Sequence, residues 1–422
     1  MSKLLLVLLT GLMMAGCSPA RRLSRDLCTR PVYTDHSLGV ALYDPVRKKA
    51  LVQHNADIPF TPASNTKLFS FYAGLLGIPE SLPAIRYVVR QDSLIFWGTG
   101  NPLLLHPDLP DTSALAFLRG RSERLFFSPD NYSGPRFGPG WAWDDYNDDY
   151  SAELVSLPLY GNVVRFSGQA VSPAFFRDSV HVQEASSKQN GVRRAEFTNT
   201  FTVPNAGISS KQDVPFHWSP ELVTRLLSDT LHRPVGLVHQ PVPADAQLVR
   251  GLSADSLYKR MLYVSDNQFA EQVLFMLSAE RQSDQLDPNQ ARRWVADSVL
   301  RYPATKAKWI DGSGLSRYNL FTPNILIDLL GRIDARVSRQ RLFALLPAAG
   351  QSGTLRSMGT SQQPYVFAKS GSMSAVYNLS GYILTQRGKT LYFSIMHNNF
   401  TQAVGEMRKR TVDLLRQIHE RF

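Results

Sequence analysis

Three short groups of residues carry the chemistry that is legible in this chain. The first is Ser64-Asn65-Thr66-Lys67. A serine hydroxyl is a poor nucleophile until a base takes its proton. Residues three apart on a helix share a face, so the Lys67 amine can approach the Ser64 oxygen. A helix beginning here helps twice. Its free backbone N–H groups can stabilise a developing oxyanion, and its positive end favours the neutral lysine that can act as a base. The second group is Ser265-Asp266-Asn267. The Ser265 hydroxyl can relay a proton to a leaving amine, and the Asn267 amide can bind both Lys67 and a substrate backbone. The third is Lys369-Ser370-Gly371, followed by Ser372. Lys369 would bind a substrate carboxylate and lower the Lys67 pKa by like-charge repulsion. Gly371 lets a substrate strand approach the backbone closely. The Ser372 N–H would join that of Ser64 in an oxyanion hole.

Each group alone has a plainer explanation. Ser-x-x-Lys arises by chance about once or twice in a chain of this length at average composition. Ser265 and Asp266 are good helix caps, and a lysine on an edge strand is common. The weight lies in all three standing in this order.

The elements that must position them follow from periodicity. Residues 37–53 read as two strands around the Asp44-Pro45 break. Pro62 leads into a run with helical spacing that Gly77 stops, which predicts a helix carrying Ser64 and Lys67. From about 80 to 210, short β-rich runs (residues 94–97, 124–127, 163–166 and 197–203) alternate with Gly, Pro, Asn and Asp clusters. Helical spacing returns at 219–227 and is clearest over 253–277 and 322–332. Residues 376–385 and 390–396 alternate as neighbouring strands, and an amphipathic helix from about 401 to 421 closes the chain. The expected organisation is a signal peptide (1–16), a tether (17–36), a catalytic domain in two parts (37–79 and 211–422) and a mostly β insertion (80–210). The fold class is α/β (α+β), one domain assembled from both chain ends.

The opening residues indicate export. Lys3 precedes an apolar run over residues 4–14, then Ala15-Gly16-Cys17, the pattern of a secretory signal. The run is short of the roughly 20 apolar residues of a permanent span. Small residues before a cysteine resemble a bacterial lipobox, although Met14 stands where that motif usually has leucine. On this reading Cys17 is lipidated and becomes the mature N-terminus; the plainer alternative is a signal peptide cleaved nearby.

Composition narrows the class further. Of the 422 residues, 43% are hydrophobic and 19% charged, which suits a globular enzyme with two or more lobes. The only cysteines are Cys17 and Cys28, so lipid on the first leaves no disulfide framework. Neither CxxC nor HExxH spacing is present, and no metal or organic cofactor is expected. The net charge is +11, and Arg21, Arg22, Arg25 and Arg30 crowd the segment after Cys17. Beside an anionic lipid surface each adds roughly 1 kcal/mol of attraction. No zinc finger, RNA-binding signature or long basic helix points to nucleic acid.

The three groups together resemble the Ser-x-x-Lys, Ser-Asp-Asn and Lys-Thr-Gly set shared by penicillin-binding proteins and class A β-lactamases. Ser370 replaces the usual threonine and keeps the hydroxyl. Residues 264–271 (VSDNQFAE), 311–317 (DGSGLSR), 376–382 (VYNLSGY), 139–145 (PGWAWDD) and 353–355 (GTL) sharpen the resemblance to the class C low-molecular-mass penicillin-binding proteins. These are D-alanyl-D-alanine carboxypeptidases and endopeptidases. The resemblance runs from about residue 37 to the C-terminus, and the 201 residues from Ser64 to Ser265 match a family with domains inserted there. It implies a penicillin-binding-protein/serine β-lactamase-like transpeptidase domain with an inserted mostly-β domain. The implied partners are peptidoglycan stem peptides, cross-links and β-lactam inhibitors. It also implies that Asp144 or Asp145 reads the side-chain amine of the peptide's third residue, and that Arg356 meets that residue's carboxylate. A β-lactamase would need a second general base, which the sequence does not display. An envelope-binding protein that keeps the fold without turnover is the rival from another class.

Overall fold

The computed structural model describes residues 18–183, 191–205, 207–281, 284–359 and 363–422. The expected signal peptide and Cys17 lie outside the described residues.

The two ends of the chain build one five-stranded antiparallel sheet. Its strands are β1 (Ser37–Asp44), β2 (Lys49–His54), β16 (Val366–Met373), β17 (Val376–Leu384) and β18 (Thr390–Asn398), in the order β16-β17-β18-β1-β2. The first strand pairs with the last, Ser37 facing Asn398 and Tyr43 facing Tyr392. β17 and β18 are buried along almost their whole length, because this sheet is covered on both faces. Successive side chains point to opposite faces. Ala41, Tyr382 and Met396 therefore join the core around α2 (Lys67–Gly77), while Val40, Leu42, Ile383 and Ile395 join the core on the other face.

That other face is closed by α1 (Pro19–Thr29) and by the C-terminal helix (Val404–Arg421). The expected tether is thus in large part a docked helix. Leu23 and Leu27, one turn apart, are buried, while Arg21, Arg22, Arg25 and Arg30 remain exposed. Ser18 caps it by accepting the Arg21 N–H at 3.3 Å.

A second sheet has β3 (Ser81–Arg90), β4 (Ser93–Gly98), β5 (Arg124–Phe127), β12 (Val235–Leu237) and β13 (Gln247–Ser253), in the order β12-β5-β4-β3-β13. Two three-stranded sheets accompany it. One is β11-β6-β7 (Gln212–Pro215, Val163–Ser167, Ala170–Ser172). The other is β8-β10-β9 (Val180–Val182, Phe201–Val203, Arg193–Arg194). Strand pairing therefore carries the inserted unit to Ser253, past the expected boundary at 210. The helical period at 219–227 belongs to α3 (Pro220–Leu231), whose Leu222, Val223, Leu226 and Leu227 face the core of the insertion.

The helical spacing over 253–277 belongs to two helices, α4 (Ala254–Tyr263) and α5 (Asn267–Arg281). Between them Ser265 has φ +65°, a left-handed conformation that no helix interior contains. α5 is buried nearly all round, touching the core around α2 through Leu274 and Leu277 and a smaller cluster through Phe275 and Ala279. α6 (Pro323–Asp334), capped by Thr322, packs on the same face of the first sheet as α2. A short strand pair, β14 (Ala307–Lys308) and β15 (Leu320–Phe321), brackets the loop that reaches the site.

Candidate active site

Ser64 sits on a 3-10 turn, Ala63–Thr66, and α2 begins only at Lys67. A 3-10 turn has three residues per turn, so positions three apart stack directly over one another. Lys67 Nζ accordingly lies 2.9 Å from Ser64 Oγ. The turn is held from the sheet: Asn398 Oδ1 accepts the Thr61 N–H at 2.8 Å and Asn378 Nδ2 donates to the Thr61 carbonyl at 2.8 Å. Gly371 meets this turn. A Cβ there would stand 2.5 Å from the Pro62 carbonyl oxygen and 2.9 Å from the Ser64 nitrogen. Its missing side chain lets β16 lie against the nucleophile.

The Lys67 side chain is fully buried. Besides Ser64 it meets Asn267 Oδ1 at 2.6 Å and the Ser313 carbonyl oxygen at 2.7 Å. Burial lowers its pKa to about 8, against the opposing pull of the more distant Asp311, Glu271 and Asp266 carboxylates. Lys369 is buried as well, and its Nζ donates to Ser265 Oγ at 2.9 Å and to the Ser370 carbonyl at 2.6 Å. Burial, then repulsion from Lys67, holds its pKa well below the usual lysine range. The Ser370 hydroxyl donates to Thr354 Oγ1 at 2.7 Å. Ser64, Lys67, Ser265, Asn267 and Lys369, distant in sequence, thus form two hydrogen-bonded sets at one place.

A cleft of about 600 Å³ opens on them, lined among others by Ser64, Asp145, Tyr150, Asn267, Arg317 and Ser372. A second cleft of about 510 Å³, between β1, β2 and α6, contains none of these groups. Of the two aspartates left open by the sequence, Asp145 lines the catalytic cleft, whereas Asp144 is exposed outside it. Burial pushes the Asp145 carboxyl up, and Tyr150 donates to it at 3.0 Å. Arg356 is exposed and stands outside the residues that line the cleft. Its neighbour Leu355 is buried in the core on the far face of the sheet, and Thr354, two positions before Arg356, meets the Ser370 hydroxyl. Arg317 is the arginine of the cleft, and it donates to the Ser374 carbonyl at 3.0 Å.

Several functional groups escape a sequence reading. The Tyr150 carbonyl accepts from Asn267 Nδ2 at 2.9 Å, which turns Asn267 Oδ1 toward Lys67. The Glu271 carboxylate accepts the Gly312 and Ser313 N–H groups at 2.9 and 2.7 Å, fixing the carbonyl that meets Lys67. Burial and the nearby Asp311 push Glu271 up to about 7. Asp311 accepts the N–H groups of Gly314 and Ser316 and, from the insertion, the Trp141 indole at 3.0 Å. The 139–145, 264–271 and 311–317 runs contain Trp141, Glu271 and Asp311, but their sequence did not state these roles. Backbone carbonyls carry no residue-type signal at all.

Comparison with known proteins gives the family. The profile of the D-Ala-D-Ala carboxypeptidase 3 (S13) family matches residues 22–418. The chain is 24% identical to the D-alanyl-D-alanine carboxypeptidase DacB of Haemophilus influenzae, over 86% of this chain and 85% of that one. It is 28% identical to the D-alanyl-D-alanine carboxypeptidase of Actinomadura sp. (strain R39), over 85% and 77%. In three dimensions it is similar to penicillin binding protein 4 (dacB) of Haemophilus influenzae, with a TM-score of 0.72 at 20% identity, covering 95% and 99% of the two chains. A β-lactam complex of that protein superposes with a TM-score of 0.69. With a family match along nearly its whole length and a penicillin-binding-protein fold to go with it, this chain belongs to the D-Ala-D-Ala carboxypeptidase 3 (S13) family and is a D-Ala-D-Ala carboxypeptidase.

Proposed function

We propose that this carboxypeptidase cuts D-Ala-D-Ala-type linkages in peptidoglycan stem peptides and cross-links through an acyl-enzyme on Ser64. The observation that carries the reading is the set of three partners around the Lys67 amine. Asn267 Oδ1 and the Ser313 carbonyl can only accept. A neutral amine spends both N–H groups on them, and its lone pair then faces the one partner able to donate, the Ser64 hydroxyl. Its pKa near 8 leaves a useful neutral fraction close to neutral pH.

In this reading the Ser64 oxygen attacks the carbonyl carbon and its proton passes to Lys67. The Ser64 and Ser372 N–H groups receive the oxyanion. The departing amine takes one proton through Ser265, Lys67 returns to the neutral form, and the peptide remains as an ester on Ser64. Water adds to that ester with Lys67 as base, the ester bond breaks, and the Ser64 oxygen recovers a proton. Lys369 with Ser370 receives the terminal carboxylate. Asp145 and Arg317, one acidic and one basic side chain in the same cleft, suit a third residue that carries both an amine and a carboxylate. Penicillins acylate the same serine. The apolar leader and Cys17 support export and a lipid anchor. The exposed arginines of α1 then lie next to an anionic headgroup surface.

Intact mass after incubation with benzylpenicillin tests the reading, with Ser64→Ala alongside. One adduct on the parent and none on the variant is the expected result. A folded parent that takes no adduct would overturn it and favour a non-catalytic envelope-binding protein.

A further inference from the structure

Ser265 stands in a costly conformation. A non-glycine residue in the left-handed region stores on the order of 1–2 kcal/mol and persists only where its surroundings over-determine it. What holds it is visible on either side. Val264 ends α4, and Asp266 caps α5 by accepting the Phe269 N–H at 3.1 Å. The second oxygen of Asp266 accepts Arg260 Nε at 3.0 Å. Arg260 also reaches Asp108 at 3.2 Å and lies over the Phe269 ring. Asp108 takes both terminal nitrogens of Arg165, at 2.6 and 2.9 Å. Arg165 completes the series on Asp213, at 2.7 Å from both Nε and Nη2. Arg165 and Asp213 face each other across β6 and β11 in the inserted unit.

Five alternating charges therefore run from the three-stranded sheet of the insertion to the residue beside Ser265. We propose that this chain makes Arg260, Asp108 and Arg165 positioning residues: through them the inserted unit holds Ser265 where it can pass a proton to the leaving amine. The inference rests on the role given to Ser265 above. The side chains of the series are 14–31% exposed, so solvent screens them only partly. Asp108 is held well below the usual carboxylate range, chiefly by its bonds to Arg165. The insertion thereby acquires a catalytic purpose beyond lining the cleft.

The test uses the exported form of the enzyme, labelled to completion with a fluorescent penicillin to count working sites. Steady-state hydrolysis of an N-acylated tripeptide ending in D-Ala-D-Ala is then expressed per labelled site. Arg260→Gln is expected to lower kcat on the order of tenfold with KM within about twofold, in the range of known long-range couplings. Arg260→Lys, which keeps the charge, should recover most of the loss. Arg165→Gln, far from the substrate, should lower kcat by a smaller factor, and the double variant should lose less than the product of the two. A purely structural role would cut yield and thermal midpoint while leaving kcat per labelled site unchanged. That result, in Arg260→Gln or, if it does not fold, in Arg165→Gln and Asp108→Asn, would overturn the proposal. An unlabelled parent would sink the acyl-serine reading itself, whereas a labelled parent with unchanged variants sinks this inference alone.

Discussion

In the inserted unit Arg165 meets two carboxylates, Asp108 and Asp213. In the cleft, Lys67 and Lys369 make direct contact only with neutral oxygens: serine hydroxyls, an amide and backbone carbonyls. The consequences are opposite. Ion pairing raises the Arg165 pKa further, so its charge is fixed. Burial without a paired anion lowers both lysines, so a proton can leave. Hydrogen-bonding capacity is satisfied in both regions, and what separates them is whether the acceptor carries charge. A protein that needs a rigid strut supplies a carboxylate. One that needs a base supplies an oxygen with no charge of its own.

The comparison is broken most severely by removing the base. Lys67→Met should slow acylation by benzylpenicillin on the order of 10²–10⁴-fold, read as adduct formation over time. Unchanged acylation would show that another group takes the Ser64 proton.

Giving the cleft the chemistry of the insertion sharpens it. Asn267→Asp sets a carboxylate where Oδ1 now lies 2.6 Å from Lys67. An adjacent anion favours the charged lysine, so the Lys67 pKa should rise from about 8 by about 1–3 units. Protonated Lys67 cannot act as base. The acid limb of acylation rate against pH should therefore move upward by the same amount. A limb that stays in place while the rate falls would mean that Asn267 acts on substrate alone.

The smallest expected effect is on stability. With its folded pKa depressed, Asp108 contributes stability that is present above the unfolded carboxylate range, near 4, and is lost as pH falls through the folded value. Arg165→Gln should cost about 1–3 kcal/mol at neutral pH. Urea unfolding at about pH 2 should show less of this difference. A cost independent of pH would assign the effect to packing of the Arg165 stem.

Much of this contrast was unreadable before the fold. Ser64 and Lys67, or Lys369 and Gly371, are close in sequence, and local spacing states their relation directly. So does alternation at β17 and β18, and the apolar stripe of α6. At the break, Ser265 and Asp266 were readable as helix caps, but nothing in their residue types announced the left-handed turn of Ser265. The stripe of α3 announced a buried face without saying which core would bury it. Two leucines among arginines made α1 resemble a solvated tether. The Ser313 and Tyr150 carbonyls, which orient Lys67 and Asn267, are supplied by backbone that every residue type shares. Arg317 and Arg356 are both exposed, and which of them borders the cleft is decided by the fold.

The pairing of β1 with β18 bears on timing as well as shape. Roughly 350 residues separate these strands, and at 5–20 residues per second a ribosome needs on the order of 20–70 s to make them. Until then the first strand lacks a central neighbour. The bonds from Asn378 and Asn398 that hold the Ser64 turn do not exist either. The inserted unit, whose strands span only Ser81–Ser253, can fold from contacts far closer in the chain. A growing polypeptide is therefore inert as a hydrolase until its last strand arrives, and its nucleophile is assembled in the final act of folding.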